Sequence, residues 1–172
     1  MSTIGQLQSG FLLLHGANGV GKSSTVQYLA RTYAGGNRIP IYAAWTGKLG
    51  EERYPLNVFL TQIINEIDSI YETNILAIIE DESKSLLRKF TKTIEIAAQR
   101  AADNGHKLIV VVDAADEAVK QYDERSKKRL KHEDLFIDIL FEFKLPDNCV
   151  FVISTRTENL EILNAQVNIT KV

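Results

Sequence analysis

At 172 residues, with 45% of them hydrophobic and a single cysteine, the chain is long enough for one sizeable core and cannot build an internal disulfide framework. Its 20 Lys+Arg against 22 Asp+Glu leave a formal net charge of -2, which removes any global electrostatic case for a nucleic-acid or membrane-surface binder. The apolar run near the amino terminus has no basic region ahead of it and is far too short to span a bilayer, so no membrane anchoring and a cytoplasmic, reducing setting are expected.

Taken in chain order, "FLLLHG" (11–16) reads as a buried strand running into a tight loop, and "SSTVQYLARTY" as the helix that follows it. Val26, Leu29, Ala30 and Tyr33 recur there at helical spacing, and Gly35-Gly36 supply a stop. "RIPIYAAW" predicts a second strand with Pro40 near its start. Leu56, Phe59, Leu60, Ile63, Ile67, Ile70 and Tyr71 mark a long helix with Pro55 suited to its first turn. Leu87, Phe90, Ile94, Ala97 and Ala101 mark another, closed by Asn104-Gly105. "KLIVVVD" (107–113) is the clearest strand, because a β-branched run without a polar face must be covered on both sides. Residues 118–132 are polar and charged, and Leu135, Phe136, Ile139, Leu140 and Phe143 form the next helical stripe. "CVFVIS" is a fourth strand that buries Cys149 as a small hydrophobe, "TENLEILNA" a short helix, and "VNITKV" a fifth strand. Strand alternating with helix predicts one α/β domain over 1–172, a three-layer fold with a parallel five-stranded sheet and helices on both faces.

Chemistry concentrates after the first strand. Gly16-Ala17-Asn18-Gly19-Val20-Gly21-Lys22-Ser23 satisfies G-x-x-x-x-G-K-S/T between a strand and a helix, the context that pattern requires. The glycines let successive backbone N–H groups converge on a phosphate chain, and the helix that follows adds the positive end of its dipole. Lys22 then suits the β- and γ-phosphates, Ser23 suits Mg²⁺, and Ser24 completes the nucleotide-binding run. Asp113, ending an apolar strand, stands where a second Mg²⁺ ligand belongs. Asp116 and Glu117 follow it and can orient and deprotonate an attacking water, and are placed near the γ-phosphate if their strand adjoins the first. Ser154, Thr155 and Arg156 emerge from the fourth strand at the same sheet edge, with Arg156 suited to sensing the γ-phosphate or stabilising charge in the transition state. His15 reads as a packed strand residue, Tyr42 and Trp45 as core or rim, and His106 and His132 show no metal-ligand spacing.

In this order and spacing, "GANGVGKSS", "VVVDAADE" and "VFVISTR" resemble the nucleotide-binding core of the STAND class of P-loop ATPases, its NACHT branch in particular. The second motif of that branch is four apolar residues, Asp, a small residue, any residue, then Asp-Glu, and Val110 to Glu117 match it. The resemblance spans roughly residues 10 to 172 and implies an ATP- or ADP-binding switch that hydrolyses slowly, self-associates on activation and drives an attached effector. It implies Lys22 and Ser23 on phosphate and Mg²⁺, Asp113 on the metal, Glu117 as the base with Asp116 beside it, and Arg156 as the arginine closing the fourth strand. It also implies helical and winged-helix regions on either side of this core, so the chain is expected to be a core that works with flanking domains or further copies.

Three other readings stay open. A small-molecule kinase would use the same loop for its phosphoryl donor, and "DERSKKRLKH" (123–132) imitates an arginine-rich lid, although its bases alternate with acids as on a solvated face. A GTPase is disfavoured because "STRTE" departs from N/T-K-x-D and Asp113-Ala-Ala-Asp116 lacks the glycine of D-x-x-G. A module that binds nucleotide without hydrolysing it sits poorly with intact acids at 113, 116 and 117.

Overall fold

The computed structural model describes residues 7–33, 41–44, 56–75, 86–115 and 143–157. Within them the elements run β1 (Gly10–Gly16), α1 (Lys22–Tyr33), β2 (Ile41–Ala44), α2 (Leu56–Tyr71), α3 (Leu86–Asp103), β3 (Leu108–Asp113) and β4 (Cys149–Arg156). All strand pairs are parallel, in the order β1-β4-β3-β2. The expected fifth strand (167–172), the helices at 133–143 and 157–165 (apart from their end residues Phe143 and Thr157), and the charged 118–132 segment lie outside the described residues.

Alternation along the strands sorts the core into two layers. Leu108, Val110 and Val112 of β3 and Cys149, Phe151 and Ile153 of β4 face α2 and α3, where Phe59, Ile63, Ile67, Phe90 and Ile94 are buried against them. Ile109 and Val111 with Val150 and Val152 face the other way and are covered by Val26 and Leu29 of α1. A parallel sheet with helices on both faces results, as the unbroken apolar strands require.

The condition set for placing Asp116 and Glu117, that their strand adjoins the first, is not met, and one expectation about packing is corrected. β3 does not adjoin β1, because β4 lies between them and pairs with both. Leu87 is 37% exposed while Leu86 packs on the core. Both leucines satisfy helical spacing to Phe90, and tertiary packing selects the first. The stripes also underestimate the buried face: Ile64, Thr93 and Ala98 are buried with the residues the periodicity marks. Thr93 resolves its hydroxyl locally by donating to the Lys89 carbonyl at 2.9 Å.

The helix ends are closed as their sequences dictate. Gly105, at φ +67, lets α3 stop with the Gly105 amide on the Ala102 carbonyl (2.8 Å) and the His106 amide on the Ala101 carbonyl (2.7 Å). Arg100 in the last turn of α3 donates to the Glu72 carbonyl at 2.7 Å and to the Tyr71 carbonyl, tying α3 to the carboxyl end of α2. At the opposite edge of the sheet from the glycine loop, Asn148 donates to the His106 carbonyl at 2.6 Å and to the Ala98 carbonyl at 3.3 Å, holding the entry to β4 against α3.

Cys149 is buried at the start of β4, as its apolar flanks suggest, and burial pushes its thiol well above the usual range. Burial also raises Tyr71, with the nearby Cys149 sulfur adding to the shift. A thiol protonated in the fold and free to ionise once unfolded contributes stability in full below about pH 8.5, the unfolded value, and loses it as pH rises. Between pH 7.5 and 9.5 the loss from this group is expected to be about 1 kcal/mol by urea unfolding. Cys149→Ala should lose less by that amount over the same interval, and an unchanged alkaline slope in the variant would refute the assignment.

Candidate functional site

The site is assembled at the carboxyl edge of the sheet, on the face that α1 covers. Side-chain alternation puts Leu12, Leu14 and Gly16 of β1, Val150, Val152, Ser154 and Arg156 of β4, and Ile109, Val111 and Asp113 of β3 on that one face. Each strand therefore ends its α1-facing row in a residue singled out by sequence. The register sets Gly16 opposite Arg156 and Leu14 opposite Ser154, while Asp113 ends β3 one position beyond the Val112–Ile153 pair.

Between β1 and α1 the loop turns on Gly19 (φ +80) and Gly21 (φ +89), backbone values that L side chains rarely adopt. Gly16 has a different reason to be glycine: a Cβ there would lie 2.8 Å from Cγ2 of Val20, across the loop. Ala17, Asn18, Gly19 and Val20 are exposed, Val20 at 62%, so the loop presents backbone and not a packed side-chain surface. Lys22 folds back over it, its Nζ donating to the Gly16 carbonyl at 2.9 Å and the Ala17 carbonyl at 2.8 Å. The ammonium carries a third donor and a full positive charge at the loop mouth. Thr25 anchors the first turn of α1 by donating its hydroxyl to the Gly21 carbonyl at 3.0 Å.

Asp113 is 5% exposed, and its Oδ1 collects three donors. The Ser23 hydroxyl reaches it from α1 at 3.2 Å, the Ala114 amide at 2.9 Å, and the Ser154 hydroxyl from β4. The Ala114 amide also donates to Ser154 Oγ at 2.9 Å. Those bonds require Ala114 to turn back on the carboxylate, at φ +55. Two hard oxygen side chains from distant motifs thus meet beside the loop. That donor set suits Mg²⁺, which is held by one or two protein oxygens together with substrate phosphates. Among the described residues no group of three or more His, Cys, Asp or Glu could hold a metal by itself.

Of the residues singled out by sequence, Gly16 to Ser24, Asp113, Ser154 and Arg156 stand together at this edge. His15 does not match its reading as a packed residue: it is exposed, one position before the loop. Asp116, Glu117, Trp45 and His132, and the side chain of Tyr42, lie outside the described residues. Ser154 was legible as an edge residue, but nothing in a single sequence pairs it with Asp113. That pairing depends on the strand order.

The chain matches the NACHT domain over residues 11–172 and belongs to that family, a family of nucleotide-binding P-loop NTPases. No match was found among curated proteins. Among the described residues no helix is long and apolar enough to cross a membrane.

Left-handed backbone costs a non-glycine residue about 1–2 kcal/mol, while glycine gives back about 0.4–1 kcal/mol through its greater freedom when unfolded. Ala114→Gly should therefore gain about 0.5 kcal/mol of stability. The measurement is the urea midpoint at unchanged slope. A lowered midpoint would mean that Ala114 carries no such strain.

Proposed function

We propose that this NACHT domain is a Mg²⁺-dependent switch that binds ATP and ADP, with residues 1–172 forming one nucleotide-binding unit that hydrolyses ATP slowly. The observation that carries the reading is the 3.2 Å hydrogen bond from Ser23 to Asp113, which joins the glycine loop to the end of an apolar strand 90 residues away. A glycine-rich turn with no ligand gives no reason to bring those two groups together.

Each role follows from chemistry and position. The loop amides and the amino end of α1 surround the phosphates, and Lys22 exchanges its two carbonyl contacts for charge-assisted bonds to the β- and γ-phosphate oxygens. Ser23 and Asp113 hold Mg²⁺, which when bound neutralises charge developing on the phosphates. Glu117, with Asp116 beside it, orients the attacking water and accepts its proton. Arg156, opposite Gly16 on the neighbouring strand, lies within reach of the γ-phosphate side and distinguishes ATP from ADP. Self-association, or flanking regions of a longer chain, turns that distinction into a signal. The small-molecule-kinase alternative rests on a lid at 123–132, which lies outside the described residues.

Binding of fluorescent ATP and GTP analogues with Mg²⁺, alongside phosphate release, tests the reading in the wild type, Lys22→Ala and Glu117→Gln. ATP should be preferred over GTP. Lys22→Ala should weaken binding at least tenfold, the loss of about 1.4 kcal/mol of charge-assisted contact. Glu117→Gln should still bind and should lose phosphate release. Equal or preferred GTP binding, or a Lys22→Ala protein that binds normally, would overturn it.

A further inference from the structure

Ser154 has no part in the roles above, yet it is 1% exposed and makes two of the four hydrogen bonds that surround the end of β3. A serine hydroxyl has one proton to give. Here it goes to Asp113 Oδ1, and the oxygen in turn accepts the Ala114 amide at 2.9 Å. The hydroxyl therefore bridges the carboxylate to the backbone that follows it, from a strand central in the sheet and buried along most of its length. The Ala114 amide already reaches Oδ1 by itself at 2.9 Å, so closing the turn does not need Ser154. The hydroxyl adds a further donor to Oδ1, mounted on a buried central strand, beside the Ala114 amide and the Ser23 hydroxyl. Once Ser23 turns to a bound cation, Ser154 and the Ala114 amide are the donors left to hold the carboxylate.

Resting on the assignment of Ser23 and Asp113 to Mg²⁺, we infer that Ser154 is a positioning residue that holds the Asp113 carboxylate in its metal-binding orientation before nucleotide arrives. Outer partners of this kind commonly change metal affinity by about 10- to 100-fold when removed, because the ligand must then be ordered at the moment of binding. The two hydrogen bonds of Ser154 go to Asp113 and to the Ala114 amide, so its contribution should appear in the metal dependence of binding and leave metal-free binding alone.

The experiment compares the affinity of the full chain for a fluorescent ATP analogue in EDTA and in Mg²⁺, with the ratio of the two as the readout. Wild type, Ser154→Ala, Ser154→Thr, Asp113→Asn and the Asp113→Asn/Ser154→Ala double variant are measured, with thermal melts to confirm folding. Ser154→Ala should keep the EDTA affinity within about twofold and lose about tenfold of the Mg²⁺-dependent tightening. Ser154→Thr, which retains the hydroxyl, should keep most of it. Adding Ser154→Ala to Asp113→Asn should cost nothing further, since the serine acts through the carboxylate. If Ser154→Ala fails to fold, Ser154→Cys makes the same comparison with a weak donor of similar size. An unchanged ratio in the serine variants, or losses that multiply in the double variant, overturns this inference alone. A folded wild type that binds no nucleotide in either condition overturns the proposed function and this inference with it.

Discussion

The carboxyl edge of the sheet depends on satisfying one buried carboxylate. Taking a carboxylate out of water is costly unless donors replace its hydration, and Asp113 is almost wholly buried. Its donors come from the first turn of α1, from the backbone just past β3 and from β4, so one oxygen enforces the mutual placement of three segments distant in sequence. The same bonds that make burial tolerable also orient the group. Tolerance of burial and orientation of the carboxylate therefore have a common physical origin here.

The position of β4 makes this possible. Lying between β1 and β3, it brings Ser154 to Asp113 and, two residues later, Arg156 to the start of the glycine loop. Residues two apart on a strand share a face, and this is the face on which α1 and the loop sit. A single buried strand thus registers the glycine loop and Asp113 against each other. Had β3 paired directly with β1, Asp113 would have lain beside the loop without an intervening hydroxyl or arginine.

Much of this was legible in the sequence, and the failures have identifiable causes. "KLIVVVD" and "CVFVIS" could only be buried parallel strands, and the parity of Ile109, Val111 and Asp113 already assigns all three to one face. The glycine pattern located the loop and the Asn-Gly pair located the end of α3. Strand order was not legible, because hydrophobic runs say that a strand is covered without saying by which neighbour. Leu87 was misassigned because two adjacent leucines fit one helical stripe, and His15 because position in a strand next to an apolar run does not by itself bury a residue near the strand's end. The pairing of Ser154 with Asp113 and the left-handed turn at Ala114 both follow from that order, so they were hidden with it.

The two halves of the site ask different things of the sequence. At the glycine loop the constraint is on backbone: Ala17, Asn18 and Val20 are exposed, and what matters is that Gly19 and Gly21 reach torsions that other residues rarely adopt and that no Cβ at Gly16 presses on Val20. Side-chain identity at the exposed positions is loosely constrained. Around Asp113 the determinants are side chains, with Asp113 and Ser154 buried and Ser23 exposed, and each hydroxyl already donates to the carboxylate. Ser23 belongs to both halves, since it follows Lys22 at the start of α1 and points its proton at Asp113. From that hydroxyl the hydrogen bonds run to Asp113 at the end of β3 and on to Ser154 of β4, while Gly16 pairs with Arg156 of β4 directly. The start of the loop and the first turn of α1 are thus tied to the same central strand twice, once through backbone and once through side chains.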